Sequence, residues 1–118
     1  MNVLIVDDST FMRRMMKEVV TKYDHTVVGE ADNGKVAVEK YKELKPDVVT
    51  MDVTMKEMTG LEALGAILAM DPSANVVMVS SMSQEIIVRE AIMLGAKGFI
   101  VKPFEDKQIM LAFEKIMK

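Results

Sequence analysis

The sequence predicts an α/β protein built on a doubly wound, five-stranded parallel sheet, (βα)5, in strand order 2-1-3-4-5. Short apolar runs alternate five times with segments of helical period. Such strict alternation calls for a parallel sheet covered on both faces. The first, third and fourth runs are the most continuously apolar and belong at the sheet centre. The second carries Gly29 and the fifth is short, which suits edges.

The first strand is Val3–Val6. Met12, Met15, Met16, Val19, Val20 and Tyr23 follow at i, i+3, i+4, i+7, i+8 and i+11, one face of a helix that Ser9 or Thr10 can cap. Thr26–Glu30 is a weaker second strand. Asn33-Gly34 opens a helix with Ala37, Tyr41 and Leu44 on one face, and Pro46 stops it. The third strand, Asp47–Asp52, runs into a loop from Val53 to Thr59. A helix carrying Leu61, Leu64, Ile67 and Leu68 comes next, ended by Asp71-Pro72. Val76–Val79 is the fourth strand. Ile87, Val88, Ala91 and Leu94 mark the core face of the fourth helix, closed by Gly95 at the C′ position. Phe99–Val101 is the fifth strand, and Ile109, Phe113 and Ile116 carry the last helix. The connections are short, with no repeat, linker or low-complexity tract, so a single domain is expected over residues 1–118.

At 118 residues, half of them apolar and 28% charged, the chain is long enough for one buried core. A net charge of −3 offers no footprint for nucleic acid or an anionic membrane. No apolar run approaches the roughly 18 residues of a membrane span, and Asp7 and Asp8 interrupt the first run too early for a signal peptide. The absence of cysteine excludes disulfides and thiolate chemistry and fits a reducing cytoplasm. Methionine is the outlier, at 13 residues. It fills irregular core gaps and also coats adaptable surfaces, and the core is expected for most of it. The lone histidine, His25, lies near a loop and is expected at the surface rather than on a metal.

In an open parallel sheet, ligands bind beyond the carboxyl ends of the strands. The first strand ends on Asp7-Asp8, the third on Asp52, the fourth on Ser80 and the fifth on Lys102-Pro103. In the expected order these ends are neighbours, about 4.8 Å apart strand to strand. Three carboxylates, a hydroxyl and an ammonium then share one crevice. An Asp after a strand is commonly a cap or turn residue, and Lys-Pro a turn. Those local roles do not explain four suitable residue types on four strand ends. Crowded anions raise one another's proton affinity unless a cation intervenes, and an all-oxygen donor set suits Mg²⁺ better than zinc.

Four stretches carry a family resemblance: VLIVDDSTFMRR (Val3–Arg14), KPDVVTMDVTMKEMTG (Lys45–Gly60), VVMVSS (Val76–Ser81) and GAKGFIVKPF (Gly95–Phe104). Together they resemble the receiver domains of two-component response regulators, most closely the single-domain chemotaxis regulators, over essentially the whole chain. The resemblance implies a flavodoxin-like fold with Asp52 as phospho-acceptor. It implies that Asp8, Asp52 and the backbone carbonyl of Thr54 bind Mg²⁺, with Asp7 helping through water. Ser80 would hydrogen-bond a phosphoryl oxygen, Lys102 would pair with the phosphoryl charge, and Phe99 stands at the family's switch aromatic. The expected protein is a cytoplasmic, monomeric switch rather than an enzyme, catalysing only its own phosphoryl acceptance and autodephosphorylation. Its phosphodonor would be a histidine kinase, and its target a protein such as a flagellar motor switch component. Two positions depart from the family pattern. Lys56 stands where proline is usual four residues after the acceptor, and Thr59 stands where Asp or Asn often precedes Gly60. Both lie in the loop over the site, so they bear on loop rigidity and on phosphorylation and hydrolysis rates.

On a helical wheel, Ile86 and Met93 fall opposite the core face of the fourth helix, and Leu111 is similarly misplaced on the fifth. Single exposed apolar residues are ordinary. Two such helices near Phe99, on the face the resemblance assigns to output, make an expected partner surface. Gly65, Ala66 and Ala69 on the outward side of the third helix would permit close helix approach, but ordinary solvent exposure explains them equally well, and they are assigned no role. Two rival classes fit poorly. A phosphatase of the haloacid-dehalogenase type wants a second Asp two residues after the nucleophile, where Thr54 stands. A flavin carrier wants a Ser/Thr/Gly phosphate loop after the first strand, where two acids stand. A receiver excised from a longer regulator is the alternative to a stand-alone one.

Overall fold

The computed structural model describes residues 1–118. The chain runs β1 (Asn2–Val6), α1 (Thr10–Lys22), β2 (Thr26–Ala31), α2 (Gly34–Leu44), β3 (Val48–Met51), α3 (Gly60–Met70), β4 (Val76–Ser80), α4 (Glu85–Leu94), β5 (Gly98–Val101) and α5 (Asp106–Met117). All neighbouring strands pair in parallel in the order β2-β1-β3-β4-β5. This is the expected doubly wound, flavodoxin-like arrangement, with β2 and β5 at the edges. On β2 the register slips, so that Val3 faces Val27 while Leu4 faces Gly29. Such a bulge is tolerated at an edge.

Alternate residues of the strands feed two cores. Leu4, Val6, Val49, Met51, Val76 and Met78 meet α2, α3 and α4 on one face. Val3, Ile5, Val48, Val77, Val79 and Ile100 meet α1 and α5 on the other. Strands buried on both faces are apolar at nearly every position, which is why they read as almost continuous runs. The helix starts follow local chemistry. The Ser9 hydroxyl accepts the Met12 N–H, and the Asn33 side chain accepts that of Val36. Thr59 and Glu62 form a reciprocal capping box. Gly95 closes α4 at φ 116°. Most methionines are in or against the core, and only Met70, Met93 and Met117 are exposed.

Three local expectations need correction. Leu94, expected in the core, is 42% exposed. Helix α4 packs on α3 and on the short edge strand β5, so there is little sheet beneath it and only Ala91 is fully buried. Tyr23, expected on the buried face of α1, is the helix C-cap and lies exposed, with the Lys22 ammonium 5.5 Å from its ring centre. His25, expected at the surface, is half-buried. Its ring stands edge-on to Phe113, centroids 5.1 Å apart, and its Nδ1 lies 2.9 Å from the Met1 amine. Burial, followed by that positive charge, holds its pKa below the ordinary histidine value.

Candidate functional site

Backbone pairing extends one residue past the strands and aims the site residues. The Asp7 N–H donates to the Ala31 carbonyl, Asp52 N–H to Val6, and Lys102 N–H to Ser80, at 2.9–3.0 Å. The side chains that follow therefore emerge together at the carboxyl edge, where the strand order reverses between β1 and β3. One carboxylate oxygen from each of Asp7, Asp8 and Asp52 lies within 4.8 Å of the others. Asp7 and Asp52 are buried, while Asp8 is exposed at the open side. The Lys102 ammonium sits among them, 2.7 Å from Asp7 Oδ2 and 3.5 Å from Asp52 Oδ2.

The expected crowding of anions is thus partly relieved from within the chain. At Asp52 the pKa is still raised above the ordinary carboxylate value. Burial is the largest cause. Lys102 pulls the other way, Asp7 pushes up, a hydrogen bond from the Val53 N–H pulls down, and Asp8 pushes up. The donor set fits a hydrated divalent cation. It is all carboxylate, with neither His nor Cys in the cluster, and the exposed Asp8 leaves a side open for metal-bound water.

Ser80 and Thr54 meet through a third residue. Ser80 is buried, and its Oγ accepts the Met82 N–H at 3.1 Å. Exposed Thr54 donates its hydroxyl to the Met82 sulfur at 2.9 Å. Phe99 faces Met78 in the sheet register, and its largely buried ring packs against the core cluster that includes Met82 and Ile87 at its margin. The residues expected at a partner surface are exposed, Ile86 by 73%, Met93 by 79% and Leu111 by 48%. Ile86 and Met93 line an open depression of about 450 Å³ with Arg89, Glu90 and Leu94. Leu111 lies outside it, on α5.

The structure adds residues that the sequence reading missed. Arg13 donates from Nη1 to the Asp7 carbonyl at 2.7 Å and from Nε to Glu30 at 3.3 Å, tying α1 to the ends of β1 and β2. The Ser9 N–H donates to Asp7 Oδ1 at 2.9 Å. Gly60 donates to the Val53 carbonyl at 2.7 Å, and a Cβ there would lie 1.8 Å from the Asp52 carbonyl oxygen. Only glycine permits that approach. The Thr-Gly start of α3 was the available signal for Gly60, whereas nothing local marks Arg13.

The model of the response regulator receiver domain matches residues 3–114. The chain is 54% identical over 116 residues to the chemotaxis protein CheY of Thermotoga maritima, covering 98% of this chain and 97% of that protein. It is 55% identical over 118 residues to the CheY of Listeria monocytogenes, covering 100% and 99%. Among solved structures, a chain of the CheX–CheY–BeF3–Mg²⁺ complex from Borrelia burgdorferi superposes with a TM-score of 0.96 at 35% identity, covering 99% of this chain and 89% of that one. With matched sequence running from β1 into α5 and full-length relatives that are chemotaxis regulators, this chain belongs to the response regulator receiver domain family, on its CheY-like branch.

Proposed function

We propose that the chain is a single receiver domain that works as a cytoplasmic, monomeric switch in chemotaxis. Asp52 accepts a phosphoryl group from a partner histidine kinase in a Mg²⁺-dependent reaction. The phosphorylated form then binds a target, such as a flagellar motor switch component, with altered affinity. The observation that carries this reading is the convergence of Asp7, Asp8, Asp52 and Lys102 at the strand ends. Family membership supports it, because CheY-like receivers are signalling proteins and receiver domains bind Mg²⁺ at an acidic pocket.

In the transfer, an Asp52 carboxylate oxygen attacks phosphorus while the bond from phosphorus to the donor's imidazole nitrogen breaks. The nitrogen keeps the bonding pair, and an acyl phosphate forms on Asp52. Burial raises the Asp52 pKa above the ordinary carboxylate value and so opposes the ionised nucleophile. Asp8, Asp52 and the Thr54 carbonyl would hold Mg²⁺, with Asp7 helping through water, and the bound ion would supply positive charge that favours the ionised nucleophile and offsets the phosphoryl oxygens. Lys102, already 3.5 Å from Asp52, pairs with the charge that arrives. The Ser80 hydroxyl accepts the Met82 N–H and so keeps its own proton free to donate to a phosphoryl oxygen.

Phe99 and Ser80 form the switch. Because the Phe99 ring is already largely buried, completing its burial adds at most about a third of a full side-chain transfer, roughly 0.5–1 kcal/mol. That biases a two-state equilibrium by about two- to fivefold. The resulting change is read at Ile86, Met93 and Leu111. Intact mass after incubation with a small phosphodonor tests the core of the proposal. One phosphoryl group per chain is expected in Mg²⁺, and none in chelator or in Asp52→Asn. Full labelling in either control overturns it.

A further inference from the structure

The segment over the site, Val53 to Thr59, is pinned from three sides, and one of the pins belongs to α2. Its base is closed by the Gly60 N–H on the Val53 carbonyl, and the buried Met55 anchors its middle. Its far end turns tightly. Met58 N–H donates back to the Lys56 carbonyl at 2.8 Å across Glu57, which holds a φ of 65°. A three-residue turn with positive φ at a non-glycine residue is strained and persists only where its surroundings hold it. The holding contact is on another element. The first N–H of α2, at Gly34, has no partner within its own helix and donates to the Met58 carbonyl at 3.2 Å. The approach leaves no room for a side chain, since a Cβ on Gly34 would lie 2.4 Å from the Met58 oxygen and 2.8 Å from its Cβ.

We infer that Gly34 is a positioning residue for the acceptor loop. By clamping the strained Lys56–Met58 turn, the start of α2 sets where Thr54 stands beside Asp52. It thereby sets cation affinity at the acidic cluster. The clamp does the work that a rigid residue at position 56 would otherwise share. The inference rests on the reading of that cluster and of the Thr54 carbonyl as a Mg²⁺ site.

Reciprocity allows a test on the unaltered protein. If the clamp favours bound Mg²⁺, bound Mg²⁺ must favour the clamp by the same factor. Amide hydrogen exchange is followed with and without saturating Mg²⁺. The Gly34 N–H should exchange about fivefold or more slowly with the ion. The Lys45 N–H, bonded to the Tyr41 carbonyl at the opposite end of α2, should not change. In variants, Gly34→Ala should weaken Mg²⁺ binding, followed by titration, by about fivefold or more. Gly65→Ala, where a Cβ meets nothing within 4 Å, should bind as wild type. Adding Glu57→Gly, which lets the turn readjust without strain, should recover most of the affinity that Gly34→Ala loses. A purely structural defect would not respond to that second change. A Gly34 amide indifferent to Mg²⁺ overturns the inference even if Gly34→Ala fails to fold. So does a folded Gly34→Ala with wild-type affinity, or one whose loss Glu57→Gly leaves untouched. If instead Mg²⁺ moves no amide at Asp7, Asp8 or Asp52, the metal reading itself has failed.

Discussion

Replacing Lys102 by Met keeps the aliphatic stem and removes the one cation between two buried carboxylates. At an effective dielectric of about 20, ion pairs with the separations 2.7 and 3.5 Å carry roughly 6 and 5 kcal/mol of gross attraction. Desolvation of the three groups offsets most of that, but breaking a buried pair from one side still costs about 3–5 kcal/mol. The crevice is open at Asp8, so about 3 kcal/mol is expected, a fall of roughly 10 °C in thermal midpoint for a chain of this size. The loss should depend on pH. Burial raises the Asp52 pKa and Lys102 opposes the rise, so removing Lys102 raises it further. A carboxyl with a folded pKa above its unfolded one costs stability at high pH and returns it as pH falls toward the unfolded value. The gap between variant and wild type should therefore narrow from about pH 7 toward about pH 4. Mg²⁺ should also raise the variant's midpoint more than the wild type's, because it replaces the missing charge. Thermal melts followed by circular dichroism, in chelator and in Mg²⁺ at several pH values, measure all three effects. A variant that melts within about 2 °C of wild type in chelator at neutral pH refutes the pairing as a source of stability.

Asp52→Asn removes a carboxylate that burial disfavours, so in chelator it should melt higher than wild type and lose most of its Mg²⁺ response. Asp7→Asn, which weakens the partner of Lys102, should melt lower, and the same melts separate the two. Gly60→Ala places a Cβ 1.8 Å from a backbone oxygen, where neither side can give way. A cost of about 3 kcal/mol or more is expected in urea denaturation, against a small gain for Gly65→Ala. Phe99→Ala and Ser80→Ala should both reduce the ratio of target affinities with and without a phosphoryl mimic, by about two- to fivefold for Phe99. Binding assays in which both variants keep the wild-type ratio would remove this pair from the switch.

Much of this architecture was legible from residue order because its physics is local or periodic. Apolar runs at Val3–Val6 and Val76–Val79 report strands buried on both faces. Asn33 and Gly95 mark helix ends through their own hydrogen bonds and dihedrals. The strand-end acids could be named for the same reason, since sheet order brings residues at successive strand ends together whatever their side chains do. What tertiary structure alone decided are contacts that no local pattern encodes. The Lys102 ammonium lies between acids that are 95 and 50 residues away in sequence, and only packing shows that it prefers Asp7. Leu94 has the spacing of a core residue, yet it is the last residue of a helix packed on a four-residue edge strand and lies exposed. His25 looks like a loop histidine until Phe113 and the Met1 amine close around it. Gly34 reads as an ordinary helix start until the Met58 carbonyl is found against it. Periodicity reports which side of an element faces inward; it carries no information about which distant atom waits there.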